Sequence, residues 1–69
     1  MKIKLNSSII EISDNTTLKE LLQTELNITP EKKGVAVALN ETIIPREKWE
    51  TTYLSENDEI LIIIAAQGG

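Results

Sequence analysis

At the start of the chain Met1, Ile3 and Leu5 alternate with Lys2 and Lys4, and a period of two marks a strand with one buried face. Asn6-Ser7-Ser8 supplies a turn, after which Ile10 and Ile12 alternate with Glu11 and Ser13. The two runs read as an antiparallel hairpin. The period then changes. Thr17-Leu18-Lys19-Glu20 has the form of a capping box, in which the threonine hydroxyl meets the third backbone N–H of a helix and the glutamate reaches back. Leu18, Leu21, Leu22 and Leu26 follow at helical spacing as one apolar stripe, with Asn27 and Pro30 marking the exit.

Val35, Val37 and Leu39 predict a third strand, with the small Ala36 and Ala38 on its other face. Asn40-Glu41 suits a two-residue turn into Thr42-Ile43-Ile44, and Pro45 ends that strand. Because proline has its φ preset for a first helical position, Pro45 to Trp49 is expected to form one short helical turn. A further turn, Glu56-Asn57-Asp58-Glu59, releases the last strand, Ile60 to Ala65. The order is β-β-α-β-β-β, an α+β chain with one helix to cover one face of one sheet. The last strand is apolar on both sides, since Ile60, Ile62 and Ile64 point one way and Leu61 and Ile63 the other. A strand buried on one face should alternate with polar residues. Two readings stand: a central strand, or an apolar patch beside Ala36 and Ala38 kept exposed for a partner.

Composition sharpens this picture. The 69 residues make one domain near the lower size at which a single core holds. With no Cys and no His, the chain has neither disulfides nor the usual metal ligands, and with no Phe its core must be Ile, Leu and Val. A net charge of -4, with basic residues scattered, speaks against a nucleic-acid or anionic-membrane partner. The adjacent pair Lys32-Lys33 reads as a solvated loop. The amino-terminal run alternates where a signal peptide would be continuously apolar, and residues 60–66 are too short to span a bilayer. A cytoplasmic protein is expected.

The chemistry of the side chains argues against an enzyme. No His or Cys is present to act as base or nucleophile, no Ser has the context of an oxyanion hole, and three glycines do not make a phosphate loop. Glu56, Asp58 and Glu59 lack the spacing of a calcium loop and read as a solvated turn. Trp49 reads as the lid of the core, its indole N–H turned to a carbonyl or water. Arg46 suits either a surface salt bridge or a carboxylate on another protein. The end of the chain, "IIIAAQGG", also has two readings. Terminal glycines are common as frayed ends, yet two residues without Cβ also make a flexible thread able to enter a narrow channel. From Ala65 to Gly69 that thread would reach about 17 Å when extended. Its terminal carboxylate, with an ordinary pKa of about 3.3 to 3.7, is ionised and inert as an acyl group until adenylated. Such a tail is built as a substrate.

A chain of this order ending in Gly-Gly resembles the ubiquitin-like β-grasp proteins, and specifically the ThiS family of sulfur carriers in thiamin biosynthesis. The resemblance covers the whole chain. It is carried by "ALNETIIPREKW", Ala38 to Trp49, with its turn-opening Asn and Pro-Arg-x-x-Trp; by "LSENDEILII", Leu54 to Ile63; and by Gly68-Gly69. Asn57 stands where the family commonly has Gly, and Asn also tolerates a left-handed turn. The related MoaD-like small subunit of molybdopterin synthase shares fold and tail but typically lacks Pro-Arg-x-x-Trp. The resemblance implies a β-grasp domain over residues 1–65, with a mixed sheet under one helix and a helical turn near 46–49, followed by a flexible arm at 66–69. It implies that a ThiF-like enzyme adenylates Gly69 with ATP and that sulfur from cysteine, delivered through a desulfurase or other donor, replaces AMP. The thiazole synthase ThiG then receives sulfur from the Gly69 thiocarboxylate. In that scheme the chain binds no cofactor and is a monomer when free. Ala66, Gln67 and Gly68 form the gripped arm, and Arg46, Leu61 and Ile63 are the expected docking residues. The alternatives are a MoaD-like sulfur carrier for molybdopterin synthesis and, from another class, a ubiquitin-like protein modifier joined to lysines through Gly69.

Overall fold

A computed structural model describes residues 1–65. Asn6 and Ser7 both take positive φ, 46° and 75°, the signature of a type I′ turn matched to strand twist. They join β1 (Lys2–Leu5) to β2 (Ser8–Glu11). The turn is therefore two residues long, and Ser8, expected within it, already belongs to β2. A second tight turn at Asn40 and Glu41, φ 49° and 72°, joins β3 (Val35–Leu39) to β4 (Thr42–Ile43). β5 runs Glu59–Ile64. The five strands form one sheet in the order β2-β1-β5-β3-β4. Pairing is antiparallel throughout except between the central strands β1 and β5, which run parallel. The sheet is thus mixed, as expected.

The single helix, α1 (Leu18–Leu26), begins on the complete capping box of Thr17 and Glu20. It ends where Asn27 turns left-handed at φ 55° and its N–H reaches back to Gln23 O at 3.1 Å, the αL closure, with Ile28 N–H on Leu22 O at 3.0 Å. That closure changes the expected stripe. Leu18, Leu21 and Leu22 are buried, but Leu26 is exposed, and Ile28 just past the helix enters the core instead. A 3-10 helix, Arg46–Thr51, packs against α1. Pro45 lies just ahead of it, with ψ 149° still extended, so proline closes β4 instead of opening the helix, and the helical segment runs past Trp49 to Thr51.

The core lies between the sheet and α1. Ile3 and Leu5 from β1, Ile60 and Ile62 from β5, and Val37 from β3 meet the helix leucines, with Trp49 and Leu54 closing one side. Aliphatic packing with one indole fills the interior, as the composition requires. No helix among the described residues is long and apolar enough to cross a membrane.

Candidate functional site

Side chains alternate across the sheet, so residues paired across neighbouring strands share a face. On the face away from α1, Ile63 pairs with Ala36, Leu61 with Ala38, and Ala38 in turn with Ile43. Leu61 and Ile63 are 50% and 52% exposed, half-sunk between alanines too small to cover them. Ile43, 62% exposed, extends the apolar surface outward on the β3 side, while Ile9, 72% exposed, lies on the same face beyond Lys4. Toward β1 it is bounded by Lys4, whose Nζ lies 3.4 Å from Glu59 Oε2. An apolar centre with a charged border is the anatomy of a protein-docking surface. The first reading of the last strand holds, since β5 is central and buried beneath α1 through Ile60 and Ile62; on its other face Leu61 and Ile63 are exposed, as the second reading requires.

Ile9 and Ile43 belong to this face but were not among the expected docking residues. Each sits in an isoleucine pair, Ile9-Ile10 and Ile43-Ile44, where composition alone does not tell which member faces the core. Arg46 is placed otherwise than Leu61 and Ile63. It opens the 3-10 helix, its Nη1 donates to Pro30 O at 2.6 Å, and its guanidinium carbon stands 5.3 Å from the centre of the Trp49 ring. Its donor fork is thus engaged within the chain, on the element that packs against α1.

The acidic turn before β5 proves structural. Asp58 accepts Ser55 N–H at 2.7 Å and the Asn40 side-chain amide at 3.0 Å, while Glu56 accepts Lys2 N–H at 3.1 Å. Asn57 adopts φ 69°, the left-handed turn expected of it, and its N–H donates to Lys2 O at 2.7 Å. These bonds lock the start of β5 to both hairpins. At the other end of β5, Ala65 N–H donates to Gly34 O at 2.7 Å, so β3 guides the strand to the last described residue. Ala66, Gln67, Gly68 and Gly69, the expected arm and reacting terminus, lie outside the described residues.

One helix on a five-stranded mixed sheet with parallel central strands is the ubiquitin-like β-grasp, a class in which the last strand leads directly into the carboxyl-terminal segment. The sequence profile of the ThiS family matches residues 2–69. Along 69 residues, the full length of both chains, the protein is 30% identical to the sulfur carrier protein ThiS of Escherichia coli K12. The chain belongs to the ThiS family. The crystal structure of a ThiS thiamine biosynthesis protein from Geobacter metallireducens matches with TM-score 0.79 at 22% identity, covering all of both chains. A solution structure of a thiamine biosynthesis protein from the same organism matches with TM-score 0.78 at 24% identity, covering all of this chain and 88% of the other. Both share the fold.

Proposed function

We propose that this protein is a sulfur carrier for thiazole formation in thiamin biosynthesis, acting in the cytoplasm with its reacting group at the Gly69 carboxylate. The observation that carries the reading is the full-length family match, which takes in the Gly68-Gly69 end. The open face of Leu61 and Ile63, on the strand that leads toward that end, is the surface on which the partner enzymes dock. In the first step a Gly69 carboxylate oxygen bonds to the α-phosphorus of ATP and pyrophosphate leaves. Sulfur drawn from cysteine by a desulfurase arrives as a protein persulfide, whose terminal sulfur forms a C–S bond at the same carbonyl carbon as AMP departs; a second thiol then cleaves the S–S bond, leaving the thiocarboxylate and a disulfide on the sulfur donor. The thiocarboxylate passes its sulfur to the thiazole synthase. The protein contributes the Gly69 carboxylate that attacks ATP; the groups that catalyse each step belong to the ThiF-like adenylating enzyme and to ThiG. Ala66, Gln67 and Gly68 serve as the arm between docking face and reacting carbon.

The test is high-resolution mass spectrometry of the chain after incubation with a ThiF-like enzyme, ATP and a sulfur donor. Oxidation of Met1 adds an oxygen and nearly mimics exchange of oxygen for sulfur, so carboxyl-terminal fragments must localise the change. Sulfur on Gly69 is the expected result. An unmodified terminus, with the enzyme active on an established carrier, would sink the reading, and a ladder of lysine conjugates would replace it with the modifier.

A further inference from the structure

β1 stops at Leu5 because the chain turns at Asn6 and Ser7. Gly, Asp and Asn all suit the first position of such a turn, so turn geometry does not by itself demand an amide side chain. The parallel ladder between β1 and β5 does. Asn6 N–H donates to Ile60 O at 3.0 Å; its Nδ2 donates to Ile62 O at 3.2 Å, and its Oδ1 accepts Ile62 N–H at 2.7 Å. The side-chain amide therefore stands where the next peptide group of β1 would stand, and extends the ladder by one step after the backbone has turned away. Of the turn-forming residues, only Asn offers a donor and an acceptor at that reach. An Asp would set a carboxylate oxygen against Ile62 O, and a Gly would leave both Ile62 groups without these partners.

The location of the clamp gives it a consequence for chemistry. Register pairs between β1 and β5 end at Leu5 and Ile60, so Asn6 makes the last of these contacts to β5 from that side. Farther along, β5 is held from the β3 side, by the pairing of Ile63 with Ala36 and Ile64 with Val35 and by the Ala65 bond to Gly34. The line on which the strand leaves the sheet is set by both flanks, and Asn6 closes one of them. Gly69 follows only seven positions after Ile62, so the anchor decides where the arm begins.

We propose that Asn6 is a positioning residue for the reaction at Gly69: by binding both backbone groups of Ile62 it aims the carboxyl-terminal arm into the adenylating enzyme. The inference rests on the carrier reading above. Asn6 borders the same depression as Ala38 and Leu61, so a variant that adds no charge there leaves the docking side chains in place while freeing the strand exit. A strand exit that is no longer fixed lowers the share of time in which the arm presents its carboxylate to the enzyme, which slows a step that depends on attack geometry.

The experiment is steady-state pyrophosphate release by a ThiF-like enzyme with ATP, at varied concentrations of the wild-type, Asn6→Asp and Asn6→Gly chains. Assays are run well below each chain's thermal midpoint. Both substitutions keep a residue suited to the turn. The expected result is a fall in kcat of about tenfold or more in both variants, with KM for the carrier within about twofold in Asn6→Gly; Asn6→Asp also sets a charge beside Leu61 and is read on kcat alone. Lowered thermal midpoints with wild-type kcat would reduce Asn6 to a stabilising residue and overturn the proposal. Amide hydrogen exchange on the wild-type chain tests the clamp without any variant: Ile62 N–H should be protected like those of Leu61 and Ile63, and rapid exchange at Ile62 alone overturns it. A wild-type chain that releases no pyrophosphate, with the enzyme active on another carrier, refutes the carrier reading instead.

Discussion

Trp49 is the largest fully buried side chain among the described residues. It is only 1% exposed, its Nε1 donates to Ile44 O at 3.1 Å, and Arg46 lies over its ring. Those contacts tie the 3-10 helix to the end of the β4 segment and place an aromatic face beneath a cation whose own Nη1 is bonded to Pro30 O. Truncation of Trp49 to Ala should cost about 3 to 5 kcal/mol. Against a total stability on the order of 5 kcal/mol for a chain of this size, that leaves the variant largely unfolded in a urea titration. Trp49→Phe retains most of the packing and removes the indole donor, with an expected cost of about 1 to 3 kcal/mol. The sequence already marked Trp49 as a lid with a satisfied N–H. Its stacking with Arg46 was not readable, because it depends on how a 3-10 turn, three residues per turn, sets the two side chains side by side.

At the scale of elements, the turns and caps explain why each segment starts and stops where it does. Glu20 Oε1 accepts Thr17 N–H at 2.9 Å and the Thr17 hydroxyl at 3.1 Å. The backbone bond first, and then the hydroxyl bond, hold the Glu20 carboxyl below its ordinary value of 4.5. Above 4.5 the group is ionised in both folded and unfolded chains and its contribution to stability is complete. As pH falls through the lowered folded value the contribution disappears, because the proton must be taken up by the folded form as well. Glu20→Gln should therefore flatten the decline in thermal midpoint below about pH 4.5 that the wild-type chain shows. The β3–β4 turn offers a gain instead. Glu41 holds φ 72°, a left-handed conformation that costs a residue with a Cβ about 1 kcal/mol. Glu41→Gly, making Asn-Gly of the turn, should raise stability by roughly 0.5 to 1 kcal/mol in denaturant unfolding. Capping box, left-handed exit and two-residue turn were all legible, because each depends on residues within four positions of one another. The end of the helix stripe was not: whether Leu26 or Ile28 fills the last core position depends on how sharply Asn27 reverses the chain toward the sheet.

Across the whole molecule, one side of the sheet is buried under the helix and the other leaves Leu61 and Ile63 exposed, the face proposed above for docking. Leu61 and Ile63 lie on the open side, so Leu61→Glu and Ile63→Glu should change stability by less than about 1 kcal/mol. With a ThiF-like enzyme the same substitutions should raise KM for the carrier at least about tenfold, since a charge at the centre of an apolar contact must be desolvated without a partner. Unchanged KM in both variants would move docking elsewhere on the surface. Local pattern in the sequence determined the six segments, the capping box, the left-handed Asn turns, the aliphatic core and the Pro-Arg-x-x-Trp and Gly-Gly features that place the chain in its family. These are contacts between near neighbours, or chemical properties of single residues. Tertiary structure alone decided that β5 lies parallel to β1 at the centre of the sheet, that Ile9 and Ile43 join Leu61 and Ile63 on one face, that Arg46 is engaged with Pro30 and Trp49, and that Asn6 reaches Ile62 across 56 positions. Those outcomes turn on which strands become neighbours. Strand order is set by the summed burial of all the apolar faces at once, a quantity that no single stretch of the chain carries.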